Sequence, residues 1–135
     1  MEERIGRYRP FDLESEPDGW QRTVLPDDVL ATHIGWDIGA GALGKALAIR
    51  LEAKALFCEF SRLLIDPNRS LDKTDLIPDY ADQIPIPGNQ GLDPGERHHR
   101  IQTYYQPYHE RLDMALDQVC RDHADPLIVS VHSFT

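Results

Sequence analysis

The chain has 135 residues, of which 41% are hydrophobic, and its formal net charge at pH 7 is −9. This length suffices for one domain with a modest core. The negative charge excludes nucleic acid and anionic membrane surfaces as partners, since both would repel the protein. No apolar run reaches the roughly 18 residues of a membrane span, and the first residues lack an apolar signal-peptide core. Cys58 and Cys120 have no Cys-x-x-Cys spacing, so we expect buried free thiols and a cytoplasmic protein.

The first residues of the chain predict an arm followed by two helices. Residues 1–25 are charged and contain prolines, and we expect them to form an N-terminal arm. Pro26-Asp27-Asp28 then opens a helix, because proline fits a first turn and acids favour its positive end. A second helix is predicted from about Asp37 to Ala53, where leucines at helical spacing make a stripe suited to packing on a sheet. Residues 26–135 are expected to form the domain.

Two features near the second helix have alternative readings. Gly39, Gly41 and Gly44 spell G-x-G-x-x-G, but a dinucleotide fingerprint should follow a buried apolar strand and this one follows polar residues. Glycines that let the helix approach a neighbour closely explain the pattern equally well. His33 and Asp37 are four residues apart and share a face if the helix is continuous. They could ligate a metal or orient a water, or they could simply fix the turn by a hydrogen bond.

The stretch LFCEFSRLLIDPNR, residues 56–69, combines an apolar run with a polar end. The apolar part predicts a buried strand over 55–60, and the proline of Asp66-Pro67-Asn68 stops it. Two arginines at the end of a buried strand are costly unless they are paired or used. Arg62 and Arg69 therefore either bind an anion at the carboxyl end of the strand or hold a turn with an aspartate.

Proline and glycine punctuate residues 70–92, which we interpret as an ordered lid or wall of a site, with an exposed tether as the alternative. Asp93-Pro94-Gly95-Glu96 then has the composition of a capped helix start. The helix should run to about His123 with an interruption near Pro107. Its tyrosines should cover the core. Three of its histidines are expected on the solvated surface: His98, His99 and His109.

The last segment, Leu127 to Val131, predicts a buried strand that presents His132 at its carboxyl end. A neutral imidazole in that position is a common zinc ligand, whereas a terminal histidine in solvent is the alternative. The pattern as a whole predicts an α/β fold with a mostly parallel sheet and flanking helices. A sheet of about three strands leaves both edges open, which predicts pairing into a homo-oligomer.

Four motifs in order resemble the N-formylglutamate amidohydrolase family: HIGWDIGAGAL (33–43), SRLLIDPNR (61–69), IPIPGNQGL (84–92) and VSVHSFT (129–135). The resemblance implies a zinc-dependent hydrolase with a carboxypeptidase-like α/β fold that cleaves an amide on an acidic amino acid. It implies His132 as a zinc ligand, Asp37 as a catalytic residue that orients a ligand or water, and a substrate-carboxylate site. The residues of that site would be Arg62, Asn68 and Arg69.

The sequence also departs from the pattern of the family. Residues 1–32 contain no DHA-type motif for the first zinc ligands, and no glutamate follows His132 to act as the general base. We therefore expect this chain by itself to be inactive and to match the central portion of the family domain. The first hypothesis is a zinc-dependent amidohydrolase acting on N-formyl-L-glutamate or a related small N-acyl amino acid. The alternative is a non-catalytic homologue that binds an acidic metabolite or a partner chain.

Overall fold

The structure, a computed structural model, describes residues 25, 27–30, 32–35 and 37–133, so the predicted N-terminal arm lies outside the described residues except for Leu25. In chain order the helices are α1 (Asp27–Leu30), α2 (Ala40–Arg50), α3 (Pro94–Arg100), a π-helical turn (Ile101–Tyr105) and α4 (Gln106–Asp122). Between α2 and α3 come two 3-10 turns, Thr74–Leu76 and Pro87–Asn89, and the strands β1 (Tyr80–Ala81) and β2 (Ile84–Pro85). No helix in the described ranges is both long and apolar enough to cross a membrane.

The sheet of the described residues is a two-stranded antiparallel hairpin, in which Tyr80 lies opposite Pro85 and Ala81 opposite Ile84. Asp82 and Gln83 connect the strands with φ angles of 47° and 65°. Positive φ at both central residues belongs to the tight turns whose twist matches a hairpin. The prediction of a mixed helix-and-strand fold therefore holds at the level of class, whereas the mostly parallel sheet is not shown.

Both segments that the sequence predicts as buried strands are irregular. Residues 55–60 and 127–131 carry no strand, and Leu127, Ile128 and Val129 are 87%, 63% and 59% exposed. The physical reason is the lack of a ladder: within the described part of the chain, neither segment exchanges backbone hydrogen bonds with a neighbouring strand. An apolar run forms a strand only where a partner supplies those bonds.

The core is built around the run Leu63-Leu64-Ile65, whose three residues are at most 1% exposed. Leu63 packs with Ile34 and Ile86 in one apolar cluster, while Ile65 packs with the apolar residues at positions 76 and 77 in another. Burying each aliphatic side chain of this size stabilises the fold by about 1.5–3 kcal/mol. Residues 70–92 are therefore ordered, because they supply buried side chains to both clusters.

The helical run from α3 to α4 begins and is interrupted as the sequence predicts. The Asp93 carboxylate accepts hydrogen bonds from the backbone N–H groups of Gly95 at 2.9 Å and Glu96 at 3.2 Å, which caps α3. Pro107 has no N–H, and its ring crowds the carbonyl four residues earlier, so a regular α-helical ladder cannot pass it. The π-helical turn absorbs the mismatch, with the Gln106 N–H donating to the Ile101 carbonyl five residues back. The run then continues to Asp122.

Helix α2 is shorter than predicted and buries none of its residues. The helix begins at Ala40, directly after Gly39, whose φ angle is 79°. Among the described residues from 32 onward, no strand precedes the glycines. A Cβ added to Gly44 would lie 3.2 Å from the Phe57 ring. The lack of a side chain at Gly44 thus lets the Phe57 ring pack closely on the helix. The predicted sheet-packing stripe is wrong for the described residues, because Leu43 remains exposed.

Candidate functional site

The structure joins two predicted site residues that are 95 positions apart in the sequence. The Nδ1 atom of His132 lies 3.3 Å from a carboxylate oxygen of Asp37. The irregular segment 123–133 brings the histidine to the turn before α2, which holds the aspartate. Both side chains are about 30% exposed, so the pair is open to solvent and to a ligand.

The same imidazole has a second polar neighbour, because the Oγ atom of Ser130 lies 2.8 Å from Nε2. With Nδ1–H donated to the carboxylate of Asp37, Nε2 carries the lone pair and accepts from the serine hydroxyl. A carboxylate behind a histidine fixes the tautomer and ring orientation in this way at many metal and proton-transfer sites. The arrangement presents a basic nitrogen with a defined direction.

Arg62 holds the turn that leads to Asp37. Its Nε and Nη2 atoms donate to the carbonyls of Ile34 at 3.2 Å and His33 at 3.1 Å, and the hydroxyl of Ser61 donates to the Gly35 carbonyl at 2.7 Å. The guanidinium therefore pairs with backbone rather than with an aspartate as the turn hypothesis supposed. Its Nη1 atom makes no hydrogen bond to the described residues.

His33 and Asp37 do not share a helix face, because residues 32–35 form a turn and α2 begins later. His33 lies instead 3.4 Å from a carboxylate oxygen of Asp82 in the hairpin turn. Each residue of the predicted pair thus has its own partner, and Asp37 alone of the two lies beside His132.

Asn68 and Arg69 lie on an exposed turn directly after the buried core run. The Asn68 N–H donates to the Asp66 carboxylate at 2.9 Å, and the Arg69 N–H donates to the Asp66 carbonyl at 3.1 Å. The Arg69 Nε atom lies 2.9 Å from a carboxylate oxygen of Asp75, and these two side chains are 50% and 56% exposed. An ion pair this exposed contributes about 0–1 kcal/mol, so an anionic ligand can compete for the guanidinium.

Beneath this turn lies a buried polar network that the sequence did not reveal. Arg100, 1% exposed, donates from Nη1 to the carbonyl of Leu64 at 3.0 Å and to Oδ1 of Asn89 at 2.7 Å. Its Nε binds the Glu96 carboxylate at 2.9 Å, and the Asn89 amide donates to the Leu63 carbonyl at 2.8 Å. Glu96 and Arg100 at i, i+4 spacing were the available signal, but that spacing is ordinary on helix surfaces.

The other predicted polar residues divide between confirmed and wrong. His98 and His99 are exposed as predicted, but His109 is half-buried and contacts backbone. Both cysteines are free, yet both are exposed rather than buried. Although the Cys58 residue as a whole is exposed, desolvation around its sulfur raises its pKa to about 12, so it remains a thiol.

Two comparisons with known proteins found matches to this chain. The profile of the N-formylglutamate amidohydrolase family matches residues 12–135. The chain belongs to this family. Its structure is also similar to the crystal structure of gene product Atu2144 from Agrobacterium tumefaciens, with a TM-score of 0.82 and 32% identity. The match covers 89% of this chain and 48% of the other, so the chain spans about half the length of that structure. No curated protein matched the sequence.

The family is named for an amidohydrolase, so we asked whether the described residues could hold a metal ion. His132 is suitable as one ligand, with Asp37 behind it. Within residues 25–133, as far as the structure describes them, no three histidine, cysteine, aspartate or glutamate side chains are grouped to hold a metal ion. A catalytic zinc site needs three protein ligands and an open position. The described residues therefore do not make such a site by themselves.

Proposed function

We propose that this chain carries the substrate-carboxylate side and one metal-side histidine of an amidohydrolase that cleaves N-formyl-L-glutamate or a related small N-acyl amino acid. The observation that carries the proposal is the 3.3 Å contact between His132 and Asp37, two motif residues that are distant in sequence. A chance resemblance of motifs would not require the two residues to meet. The whole reaction, the parallel α/β sheet and the zinc ion belong to the same proposal.

The substrate carboxylates would bind to the exposed turn and to the arginine beside it. Arg69 offers a guanidinium whose present partner is a solvent-exposed aspartate, and Asn68 offers a side-chain amide that makes no hydrogen bond to the described residues. Arg62 would add its remaining Nη1 atom. A guanidinium can bind a carboxylate through two parallel hydrogen bonds, which gives direction as well as charge. The overall charge of −9 repels an anion, so recognition must rest on such local groups.

On the other side of the site, Asp37 would hold His132 with Nε2 directed at its target. The carboxylate keeps the proton on Nδ1, and Ser130 occupies Nε2 until another group replaces its hydroxyl. Zinc, when bound, would polarise the amide carbonyl and lower the pKa of a bound water. His132 would be one of its ligands in this proposal, and the remaining ligands would come from outside the described residues.

The test of substrate recognition is calorimetric titration of the full chain with two ligands that differ by one charged group. N-formyl-L-glutamate should bind at least about tenfold more tightly than N-formyl-L-glutamine, since hydrogen bonds to a charged group contribute about 1.5–3 kcal/mol. Arg69→Lys should lose most of that preference because lysine lacks the planar fork. Arg111→Lys is the matched control, because Arg111 is exposed on α4. Equal affinities for the two ligands would contradict the proposal.

A second candidate is a non-catalytic domain that binds an acidic metabolite or a partner chain. The observation in its favour is the lack of a three-ligand group among the described residues. One outcome would separate the two candidates after one equivalent of zinc is added, the protein is desalted, and bound metal and formate release are measured. On the count of ligands, we expect less than stoichiometric zinc and no release of formate at an enzymatic rate. Stoichiometric zinc with turnover abolished by His132→Ala, but not by His123→Ala, would favour the hydrolase.

A further inference from the structure

Alternate backbone carbonyls of the segment 67–71 accept hydrogen bonds from side chains of a single helical run. This pattern replaces the ladder that a strand would have provided, because the segment has no strand partner in the part of the chain that the structure describes. The contacts are His109 Nε2 to the Pro67 carbonyl at 3.0 Å, Tyr105 Oη to the Arg69 carbonyl at 2.7 Å, and Arg97 Nη2 to the Leu71 carbonyl at 3.0 Å. We call these three side chains the carbonyl clamp.

The π-helical turn brings the carbonyl clamp onto one face. Tyr105 and His109 are four apart and lie on one side of a helix. In an uninterrupted α-helix, Arg97 and Tyr105 would point about 80° apart, since eight residues advance about 100° each. The turn Ile101–Tyr105 holds one extra residue, so the pair is offset like residues seven apart, by about 20°. The interruption near Pro107 therefore has a consequence for the site.

We propose that Tyr105 and His109 are positioning residues for the acidic substrate, which hold the backbone that presents Asn68 and Arg69. This inference rests on the proposed function. Within the described structure, the local hydrogen bonds of Asn68 and Arg69 are two backbone N–H donations to Asp66, and both side chains are exposed. The carbonyl clamp fixes it from the helix side, so Asn68 and Arg69 are directed outward before any ligand arrives. A preformed site loses less conformational entropy on binding.

Tyr105 and His109 are both able to donate a hydrogen bond to a carbonyl. Desolvation, reinforced by the negative charges of Asp66 and Asp72, raises the pKa of Tyr105, so its hydroxyl stays a donor. His109 can donate from Nε2 both as the Nε2–H tautomer and as the imidazolium. Its ring lies 4.2 Å from that of Tyr105 and 5.3 Å from that of Tyr108, centroid to centroid, which limits its rotation.

The experiment combines amide hydrogen exchange with ligand titration on the full chain. Tyr105→Phe removes one hydroxyl and keeps the ring, and His109→Phe removes the other donor. Each should speed exchange at the Asn68 and Arg69 amides by about 2- to 10-fold, the worth of one hydrogen bond, and weaken N-formyl-L-glutamate binding by a similar factor. His109→Gln should restore both, because its amide nitrogen can reach the position of Nε2. Tyr108→Phe should change neither the exchange rates nor the binding, because the Tyr108 hydroxyl makes no hydrogen bond to segment 67–71 in the described structure.

The outcomes separate the clamp from the substrate site. A purely structural role would speed exchange throughout the chain and lower Tm, instead of acting on residues 66–71 alone, and it would overturn the proposal. Unchanged exchange at Asn68 and Arg69 in both donor variants would overturn it as well. If the parent binds the ligand and the variants bind it equally well, the positioning role is wrong while the substrate site stands. If the parent does not bind the ligand, the proposed function itself is contradicted.

Discussion

Two runs of this chain, residues 63–65 and 127–131, are both rich in aliphatic side chains but differ in their burial. Leu63-Leu64-Ile65 is buried, and buried side chains of Arg100 and Asn89 bind its carbonyls. The second run is irregular and exposed at residues 127–130, without backbone partners among the described residues. The difference shows that an apolar sequence favours burial, whereas the available packing and hydrogen-bond partners decide whether the segment is buried.

The largest effect should come from removing the buried guanidinium. Arg100→Met would leave the Leu64 carbonyl, the Asn89 amide oxygen and the Glu96 carboxylate without their donor. Breaking a buried charged network in this way costs about 3–5 kcal/mol of unfolding free energy, measured by urea titration. Arg111→Met, at an exposed position on α4, should change it by less than about 0.5 kcal/mol. Similar values for both variants would mean that the network does not hold the core run.

The two apolar runs can be compared directly by the same substitution in each. Leu64→Ala should lower the unfolding free energy by about 2–5 kcal/mol, because it removes a buried side chain and leaves a cavity. Leu127→Ala should change it by about 0.5 kcal/mol or less, since the side chain is exposed. A loss of 2 kcal/mol or more at Leu127 would show that the second run is covered in solution.

A smaller effect is expected at the start of the helical run that carries the clamp. Asp93→Ala removes the acceptor of two backbone N–H groups and should cost about 1 kcal/mol in thermal or urea unfolding. Asp117→Ala, at an exposed position within α4, is the matched control and should be near neutral. Equal effects of the two substitutions would show that the Asp93 cap does not stabilise α3.

The smallest effect concerns alkaline pH. Because the folded pKa of Tyr105 is raised above its unfolded value of about 10, its contribution to stability is full below pH 10 and is lost as pH rises through the folded pKa. The unfolding free energy of the parent should therefore fall more steeply above pH 10 than that of Tyr105→Phe. Parallel pH profiles for the two proteins would show that the Tyr105 hydroxyl contributes nothing to the fold.

The parts of the structure that local chemistry dictates could be predicted from the sequence. The Asp93 cap, the interruption before Pro107 and the tyrosines over the core each depend on residues within one or two helical turns. The hairpin at Asp82-Gln83 and the burial of Arg100 could not be predicted, because distant partners impose them. Positive φ at Asp82 and Gln83 is tolerated where the surrounding packing fixes the turn.

The candidate site shows the same division between local and distant information. Residue spacing leaves Asp37 open between pairing with His33 and fixing a turn, and the family resemblance suggests that it orients a ligand or water. The structure brings Asp37 and His132 together. Arg62 donates to the backbone carbonyls of residues 33 and 34, whereas Arg69 pairs with the side chain of Asp75. The shared role of the two arginines in substrate binding therefore stays a prediction. The sequence places His109 on the surface, because nothing in its neighbourhood reveals the Pro67 carbonyl.

The most direct test of the central claim is amide hydrogen exchange of the full chain, comparing the segment that side chains hold with the segment that has no partners. The amides of Leu64, Asp66 and Arg69 donate to backbone carbonyls, so we predict that they exchange slowly, at rates that follow local or global unfolding. The amides of residues 127–131 should exchange at nearly the rate of an unstructured peptide. Strong protection of residues 127–131, or fast exchange at Leu64 and Asp66, would contradict the account.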